Sequence, residues 1–303
     1  MALSIQSNMA SLSIQNQLGR SNDSLSTALE RLGSGFRINS AKDDAAGLQI
    51  ANRLSAQVVG QEAALYNADN AMSLLETGEG AFEEMTNIAF RMKELATQAA
   101  NGTNNESEYT ALNGEYTALR EELVNIMDNT TYGSGTNLFT EGTGAGSAAT
   151  GGGKLTEGVT FQIGANAAET LTFDAATEVT AMRASVGAAG TAASGSLGDL
   201  AWDTDTTNSI ADATTEMAEI DTLITNIGSA RSTMGATMNR LEHTINNVTN
   251  MKENSEAAVS NLMDADYAQE TSAMTKQQLL MNSGISVLST ANSTTSMIGS
   301  LLR

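Results

Sequence analysis

The reactive side chains of this sequence are few, and their spacing denies them a site. There is one histidine, His243, and no cysteine among 303 residues. The helix motif of a zinc protease needs two histidines one turn apart, which one imidazole cannot supply, and without cysteine there is no thiolate metal site. Catalysis by a thiol nucleophile is excluded too. Asp43 and Asp44 beside Lys42 could be imagined exchanging protons, yet carboxylates at a helix start are ordinary partners of its N-terminal amides. The glycine-rich run at 142–153 lacks the lysine and hydroxyl residue, followed by a helix, that a phosphate cradle requires. His243 falls two residues after the apolar Leu241 and is expected to face solvent. The expected catalytic residues, metal ligands and cofactors are therefore none, and the chain is read as a non-enzyme.

The strongest signal is periodicity. Stepping three and four residues from Ile210 gives Ala213, Met217, Ile220, Ile224, Ile227, Arg231, Met234, Met238, Leu241, Ile245 and Val248, all apolar except Arg231. A 3.5-residue period held this long marks a coiled-coil seam, roughly 60 Å of helix at 1.5 Å per residue. Ser209 with Asp212 reads as the capping box that starts it. Candidate partners precede it. One runs from Ala41 to about Gln98 through Val58, Leu65, Ala68, Met72, Leu75, Phe82, Met85, Met92 and Leu95, with Ser40 as cap and Asp43 as its reciprocal partner. Gly78 and Gly80 weaken that helix by about 1 kcal/mol each relative to alanine. A further helix carries Tyr109, Leu112, Tyr116, Leu119, Leu123 and Ile126, capped by Asn105.

The two ends match each other. Leu18, Leu25 and Leu32, flanked by Ile14, Ala28 and Leu29, form one apolar stripe on a polar helix that Gly33-Ser34-Gly35 terminates. Met281, Leu288, Ile298 and Leu302, flanked by Leu280, Val287 and Leu301, form another. Each is too narrow to stabilise a lone helix and is expected to order against other helices and neighbouring copies. Between the halves, Val159–Ile163 and Thr170–Phe173 alternate as a hairpin, and residues 174–208 read as an irregular surface excursion. The expected fold is mainly α: an elongated antiparallel helical bundle or coiled coil formed by the N- and C-terminal halves, with a β-hairpin and a short irregular central segment. The expected division is a terminal helical domain (1–39 plus 261–303) and a helical rod (40–141 plus 206–260) with its hairpin at 155–175. Segments 142–154 and 176–205 are expected to be variable and surface-exposed.

Composition narrows the partners. Aromatic residues are 4% of the chain, so alanine, leucine, isoleucine and methionine must do the packing. A formal charge of −20 repels phosphates and argues against nucleic acid or an anionic membrane. Proline is absent, which removes slow prolyl isomerisation from folding. Met1–Asn8 lacks the basic and apolar regions of a cleaved signal peptide, and no apolar run approaches membrane-span length.

The motifs then resemble one family. Glu30-Arg31-Leu32-Gly33-Ser34-Gly35-Phe36-Arg37-Ile38-Asn39-Ser40-Ala41-Lys42-Asp43-Asp44-Ala45-Ala46-Gly47-Leu48 is similar to the N-terminal signature of bacterial flagellins. Asn261-Leu262-Met263-Asp264-Ala265-Asp266-Tyr267-Ala268-Gln269-Glu270-Thr271 is similar to the C-terminal one, and Phe161–Asn166 with Glu169-Thr170 resembles the flagellin hairpin. The tail from Ser289 to Met297 departs from the pattern, being Ser- and Thr-rich where many relatives carry Gln and Pro. The resemblance implies an extracellular structural subunit that polymerises with itself into the flagellar filament for swimming. It implies export through the flagellar secretion channel without a cleaved signal, with an export chaperone and a cap protein as further partners.

It also implies that Arg91, Leu95, Gln98 and Glu115 match positions recognised by the host Toll-like receptor for flagellin. Leu301, Leu302 and Arg303 match the tail covered by the chaperone and sensed by cytosolic receptors. The alternative within the superfamily is a hook–filament junction protein. Outside it stand a secreted enzyme on a flagellin scaffold and a soluble coiled-coil adaptor.

Overall fold

A computed structural model of the chain describes residues 8–133, 135–139, 153–186 and 206–301, apart from the side chains of 206–209, 295–296 and 298–301. The described residues form six helices and four short strands. The helices are α1 (Met9–Ser34), α2 (Ala45–Ala99), α3 (Glu106–Asn129), α4 (Ala176–Val186), α5 (Thr206–Met263) and α6 (Tyr267–Leu301). The strands pair in two antiparallel ribbons, β1 (Thr131–Tyr132) with β2 (Thr136–Asn137) and β3 (Val159–Gln162) with β4 (Thr170–Phe173). The mainly α class and the hairpin are as expected. The chain divides into two compact units, Met1–Val59 with Lys252–Arg303, and Gly60–Met251. These boundaries lie inside α2 and α5, whereas sequence punctuation had suggested breaks near 39 and 261.

The second unit holds the core. Its α5 face is buried at Ala213, Glu216, Ile220, Leu223, Ile227, Ala230, Met234, Thr237 and Leu241, an unbroken three-four step. Only Ala213, Ile220, Ile227, Met234 and Leu241 belong to the seam expected from sequence. Met217, Ile224 and Met238 are half-buried beside it. Three heptad positions thus turn inward instead of two, as a helix requires when it packs on more than one neighbour. The stripe on α2 behaves the same way: Gln61, Ala64, Ala68, Ala71, Leu75, Gly78, Phe82, Met85, Ala89, Met92, Ala96 and Ala99 are buried at three-four spacing. Half of these are alanine, which lets helices approach closely but gives little hydropathy signal. From α3, Tyr109, Tyr116 and Leu123 enter the same core at heptad intervals. Arg231, the polar seam position, is paired: its Nη2 lies 2.7 Å from Glu79 Oε1 on α2.

Local starts and stops follow capping chemistry, with three corrections. Asn105 does cap α3, in a full capping box with Glu108. The start of α2 is capped by Asp44 and not by Ser40, because Asp44 Oδ1 accepts the Gly47 amide at 2.8 Å. Asp43 instead closes the preceding turn, accepting from the Ser40 amide (2.9 Å) and hydroxyl (3.0 Å). Those bonds, the amide foremost, hold its carboxyl below the usual carboxylate range. The start of α5 is at Thr206, upstream of the expected Ser209 cap.

The third correction concerns 176–205. Residues 176–186 are not an irregular excursion but α4, which buries Val179, Met182 and Val186 in the core. Their spacing of three and four is a helical stripe diluted by Ala and Thr. Most of the glycine-rich run at 142–153 and residues 187–205 lie outside the described residues.

The hairpin pairs Val159 with Phe173 and Phe161 with Leu171, so Leu171 and Phe173 face the core. It rests on α2, where Asn67 Nδ2 donates to the Gln162 carbonyl at 3.3 Å.

Gly78 and Gly80 are interior to α2 for different reasons. A Cβ on Gly78 would sit 2.5 Å from Met234 Cε, while one on Gly80 meets nothing within 4 Å. Gly80→Ala is therefore expected to stabilise the chain by up to about 1 kcal/mol, the helix-propensity difference. Gly78→Ala should lose that gain to overpacking and come out about 1 kcal/mol or more less stable than Gly80→Ala. Thermal melts of the two variants side by side check both signs.

Candidate functional site

In the first unit the two ends of the chain pair with each other. Asn8 caps α1 through the Ser11 amide, and its Nδ2 donates to the Ala291 carbonyl at 3.1 Å. Ser11 Oγ donates to Asn292 Oδ1 at 3.1 Å. At the other end Arg31 Nη1 lies 3.1 Å from Glu270 Oε1. Residues early in α1 therefore meet residues late in α6, and the pair is antiparallel. Leu18 fits against Gly284, where an added Cβ would lie 2.7 Å from Leu18 Cδ2. The expected stripe residues face this seam: Leu25 is buried, while Leu18, Leu32, Met281 and Leu288 are half-buried. Ile298 and Leu301 have side chains outside the described set, as do all of Leu302 and Arg303.

That seam leaves a second apolar set uncovered. On α1, Met9, Leu12 and Leu29 are exposed. On α6, Leu279, Leu280, Ile285, Val287 and Met297 are exposed, Leu279 at 64%. At 100° per residue Leu279, Leu280, Val287 and Met297 fall within one 100° sector, beside the sector of Gly284, Met281 and Leu288. A shallow open groove runs along this face from Tyr267 to Ser283. Sequence reading noted Leu29, Leu280 and Val287 only as flanks of the stripes. The width of each stripe, exceeding what one neighbour can cover, was the available signal.

The two sequence signatures meet in this unit. Gly35 ends α1 with φ +78°, a left-handed conformation that glycine adopts freely, and its amide donates to the Arg31 carbonyl at 2.9 Å. Phe36 and Asp264 form an antiparallel bridge, flanked by Arg37 N to Met263 O (2.6 Å) and Ala265 N to Gly35 O (2.9 Å). The Arg37 guanidinium donates to the Leu262 carbonyl near the end of α5 at 2.8 Å. Asp266 then caps α6 through the Ala268 and Gln269 amides. Arg31 in the last turn of α1 and Glu270 in the first turn of α6 each sit at the helix end whose dipole favours their charge.

In the second unit, Arg91, Gln98 and Glu115 lie together on an exposed face. Arg91 Nη2 is 2.7 Å from Glu115 Oε1 and its Nη1 is 2.7 Å from Glu94 Oε2. These carboxylates, Glu115 first, raise the guanidinium further above its ordinary value. Gln98 Nε2 donates to Glu94 Oε1 at 3.4 Å. Leu95, a position of the expected α2 seam as well as of the receptor match, is 1% exposed and belongs to the core beneath this face. Lys93 pairs with Asp221 of α5. His243 is exposed.

Comparison with known proteins settles the family. The model for the bacterial flagellin N-terminal helical region matches residues 5–143, and that for the C-terminal helical region matches 217–302. Flagellin A of Vibrio anguillarum is 34% identical over 380 aligned residues, covering 100% of both chains. The chain belongs to the bacterial flagellin family. This is a family of structural proteins and not of enzymes.

Other relatives match in part. B-type flagellin of Pseudomonas aeruginosa is 52% identical over 112 residues, 37% of this chain but only 23% of that longer protein. A crystal structure of Bacillus cereus flagellin, 34% identical, covers 64% of this chain and 94% of its own, with a TM-score of 0.45. Among the described residues of this flagellin no helix is long and apolar enough to cross a membrane.

A polar cluster set in the core was not anticipated from the sequence. Tyr116 of α3 donates to Glu216 of α5 at 2.9 Å, with both side chains buried. Burial, then Glu216, pushes the Tyr116 phenol far above its usual value. Glu219, one turn on, has its Oε2 buried without a hydrogen-bond partner among the described residues. Desolvation first, and Glu216 second, raise the Glu219 carboxyl above the ordinary range. Its folded state therefore holds the proton more tightly than the unfolded state, so stability falls as pH rises from the ordinary carboxylate value through the raised one. Glu219→Gln should accordingly raise the melting temperature at pH 7–8. That gain should vanish below the ordinary carboxylate range, as melting curves across pH 3–8 would check.

Proposed function

We propose that this flagellin is the polymerising subunit of an extracellular flagellar filament used for swimming. The observation that carries the reading is the apolar face of Leu279, Leu280 and Val287, exposed although the α1–α6 seam beside it is already closed. Exposed apolar surface of this kind marks an association site. Stacked copies would bury it, at roughly 25 cal/mol per Å² of apolar area, against the entropy of ordering the two helices.

Export through the flagellar channel, a chaperone for the tail at Leu301–Arg303 and a cap protein at the growing end belong to the same reading. Its support is family membership. The test is seeded polymerisation of the purified full chain, followed by electron microscopy. Leu279→Asn with Val287→Asn should abolish filaments while leaving melting of the second unit within about 0.5 kcal/mol of wild type. Filaments from that variant would overturn the assignment of this face. A wild-type chain that joins filament ends without propagating would instead be the hook–filament junction protein.

A second role is recognition by the host Toll-like receptor for flagellin. It is supported by the exposed Arg91 guanidinium held between Glu94 and Glu115, with Gln98 alongside. A buried Leu95 then contributes by holding α2 in place. Arg91→Ala is expected to weaken receptor activation about tenfold or more, the scale of an arginine hot spot, without disturbing filaments. Unchanged activation by a folded variant would sink this role.

A further inference from the structure

We propose that Met9 and Met297 are two oxidation sites, on the outward faces of α1 and α6, at which a peroxide blocks self-association; the consequence for assembly rests on the reading given above. Among the described residues the methionines range from fully buried, through half-buried ones such as Met72, Met217 and Met281, to two that are well exposed. Met85, Met92, Met127, Met182 and Met234 are at most 2% exposed and lie in the core of the second unit. Met9 is 68% exposed and Met297 59%. Both belong to the first unit, and the antiparallel pairing of α1 with α6 brings them to the same end of that pair.

Their positions on the helices put both thioethers on apolar faces away from the seam. Met297 follows Leu279 by eighteen residues, five whole helical turns, and so shares its direction. Met9 lies with Leu12 on the side of α1 opposite Leu18 and Leu25. Net charge offers peroxide no obstacle, since hydrogen peroxide is neutral. Access alone sets which methionine reacts, and among the described residues access favours these two.

The chemistry is a two-electron oxygen transfer. A sulfur lone pair attacks one oxygen of hydrogen peroxide, the O–O bond breaks, and a proton shift releases water. The thioether becomes a sulfoxide and the peroxide is reduced. A flexible apolar side chain is thereby replaced by a polar one bearing a strong acceptor, on a face that stacking must strip of water. The buried core methionines stay reduced, so the second unit remains folded while the outward apolar faces of α1 and α6 lose their apolar character. Met251, 39% exposed but in the second unit, is the internal control for exposure without position on these faces.

The experiment uses the full chain as unassembled subunits, exposed to dilute hydrogen peroxide and sampled by peptide mass spectrometry. Met9 and Met297 should oxidise about tenfold or more faster than Met85 and Met92. The oxidised chain should then extend filament seeds about tenfold more slowly, with unchanged second-unit melting, and methionine sulfoxide reductases should restore the rate. Met9→Leu with Met297→Leu, which keeps both faces apolar, should extend seeds equally with and without peroxide. Unselective oxidation would overturn the sites. Full-speed extension by the oxidised chain, or equal inhibition of the leucine variant, would overturn their role. Should untreated wild type fail to extend seeds, the filament reading falls, while the mass-spectrometric ranking still decides the sites.

Discussion

Each terminal helix has one partner supplied by its own chain and more apolar surface than that partner covers. Among the described residues of the first unit the buried apolar ones are few, Leu25, Ala28, Ile38 and Ala51. The second unit, by contrast, buries Tyr109, Tyr116, Phe82, Phe139 and Phe173 almost completely. A pair of helices joined by one leucine seam does not reach the burial that offsets chain entropy in a globular domain. Under the proposed function, the remaining stripe on α6 meets the deficit from outside the chain. Self-association and marginal independence of the ends are two consequences of one apolar distribution.

The core of the second unit solves a different problem, how to pack long helices with almost no aromatic residues. It uses small residues as the contact ridge. Ala64, Ala68, Ala71, Ala89, Ala96 and Ala99 of α2 alternate with larger groups, and Gly78 lets Met234 approach. Phe82 and Phe139, with ring centroids 5.0 Å apart, provide the one aromatic contact found among the described residues. Of the polar exceptions, Tyr116 pairs with Glu216 and Arg231 with Glu79 across helices, while the Gln61 amide on the buried α2 face has no hydrogen-bond partner among the described residues. The Tyr116–Glu216 pair is buried, so a slip of register would leave both partners unsatisfied, whereas the Arg231–Glu79 pair is half-exposed and easier to solvate.

That construction explains what was legible in the sequence. Large residues at heptad spacing, Ile220, Ile227, Met234 and Leu241, mark α5 as a seam, and the alternation of Val159–Gln162 and Thr170–Phe173 marks the hairpin. The second inward line of α5, Glu216, Leu223, Ala230 and Thr237, escaped because only one of its members is a large apolar residue. The α4 helix escaped for a related reason, with Val179, Met182 and Val186 scattered in a composition that favours loops. Asp44 as the cap of α2 could not be told from Ser40, since both precede the helix and both carry suitable oxygens. For the site, the seam stripes were visible but the exposed face beside them was not, since sequence alone cannot say which of two adjacent apolar lines the chain itself covers. The seam spacing of Leu95 places it in the core, and the structure buries it there.

The family signatures look different once their side chains have partners. Glu30 accepts from Asn39, Asp43 closes a turn, Asp44 and Asp266 cap helices, Arg31 meets Glu270, and Arg37 reaches the end of α5. Hardly any of these residues adds to an apolar core. They terminate one helix, start another, and tie the two links together by the Phe36–Asp264 bridge. Contacts of this type contribute on the order of 1 kcal/mol each and depend on direction more than on area. A joint built from caps therefore specifies where the helices stop and which segments lie side by side, without adding apolar surface that would compete with the α6 face for neighbours. The signatures specify geometry, and under the proposed function the driving force for association is left to the stripes.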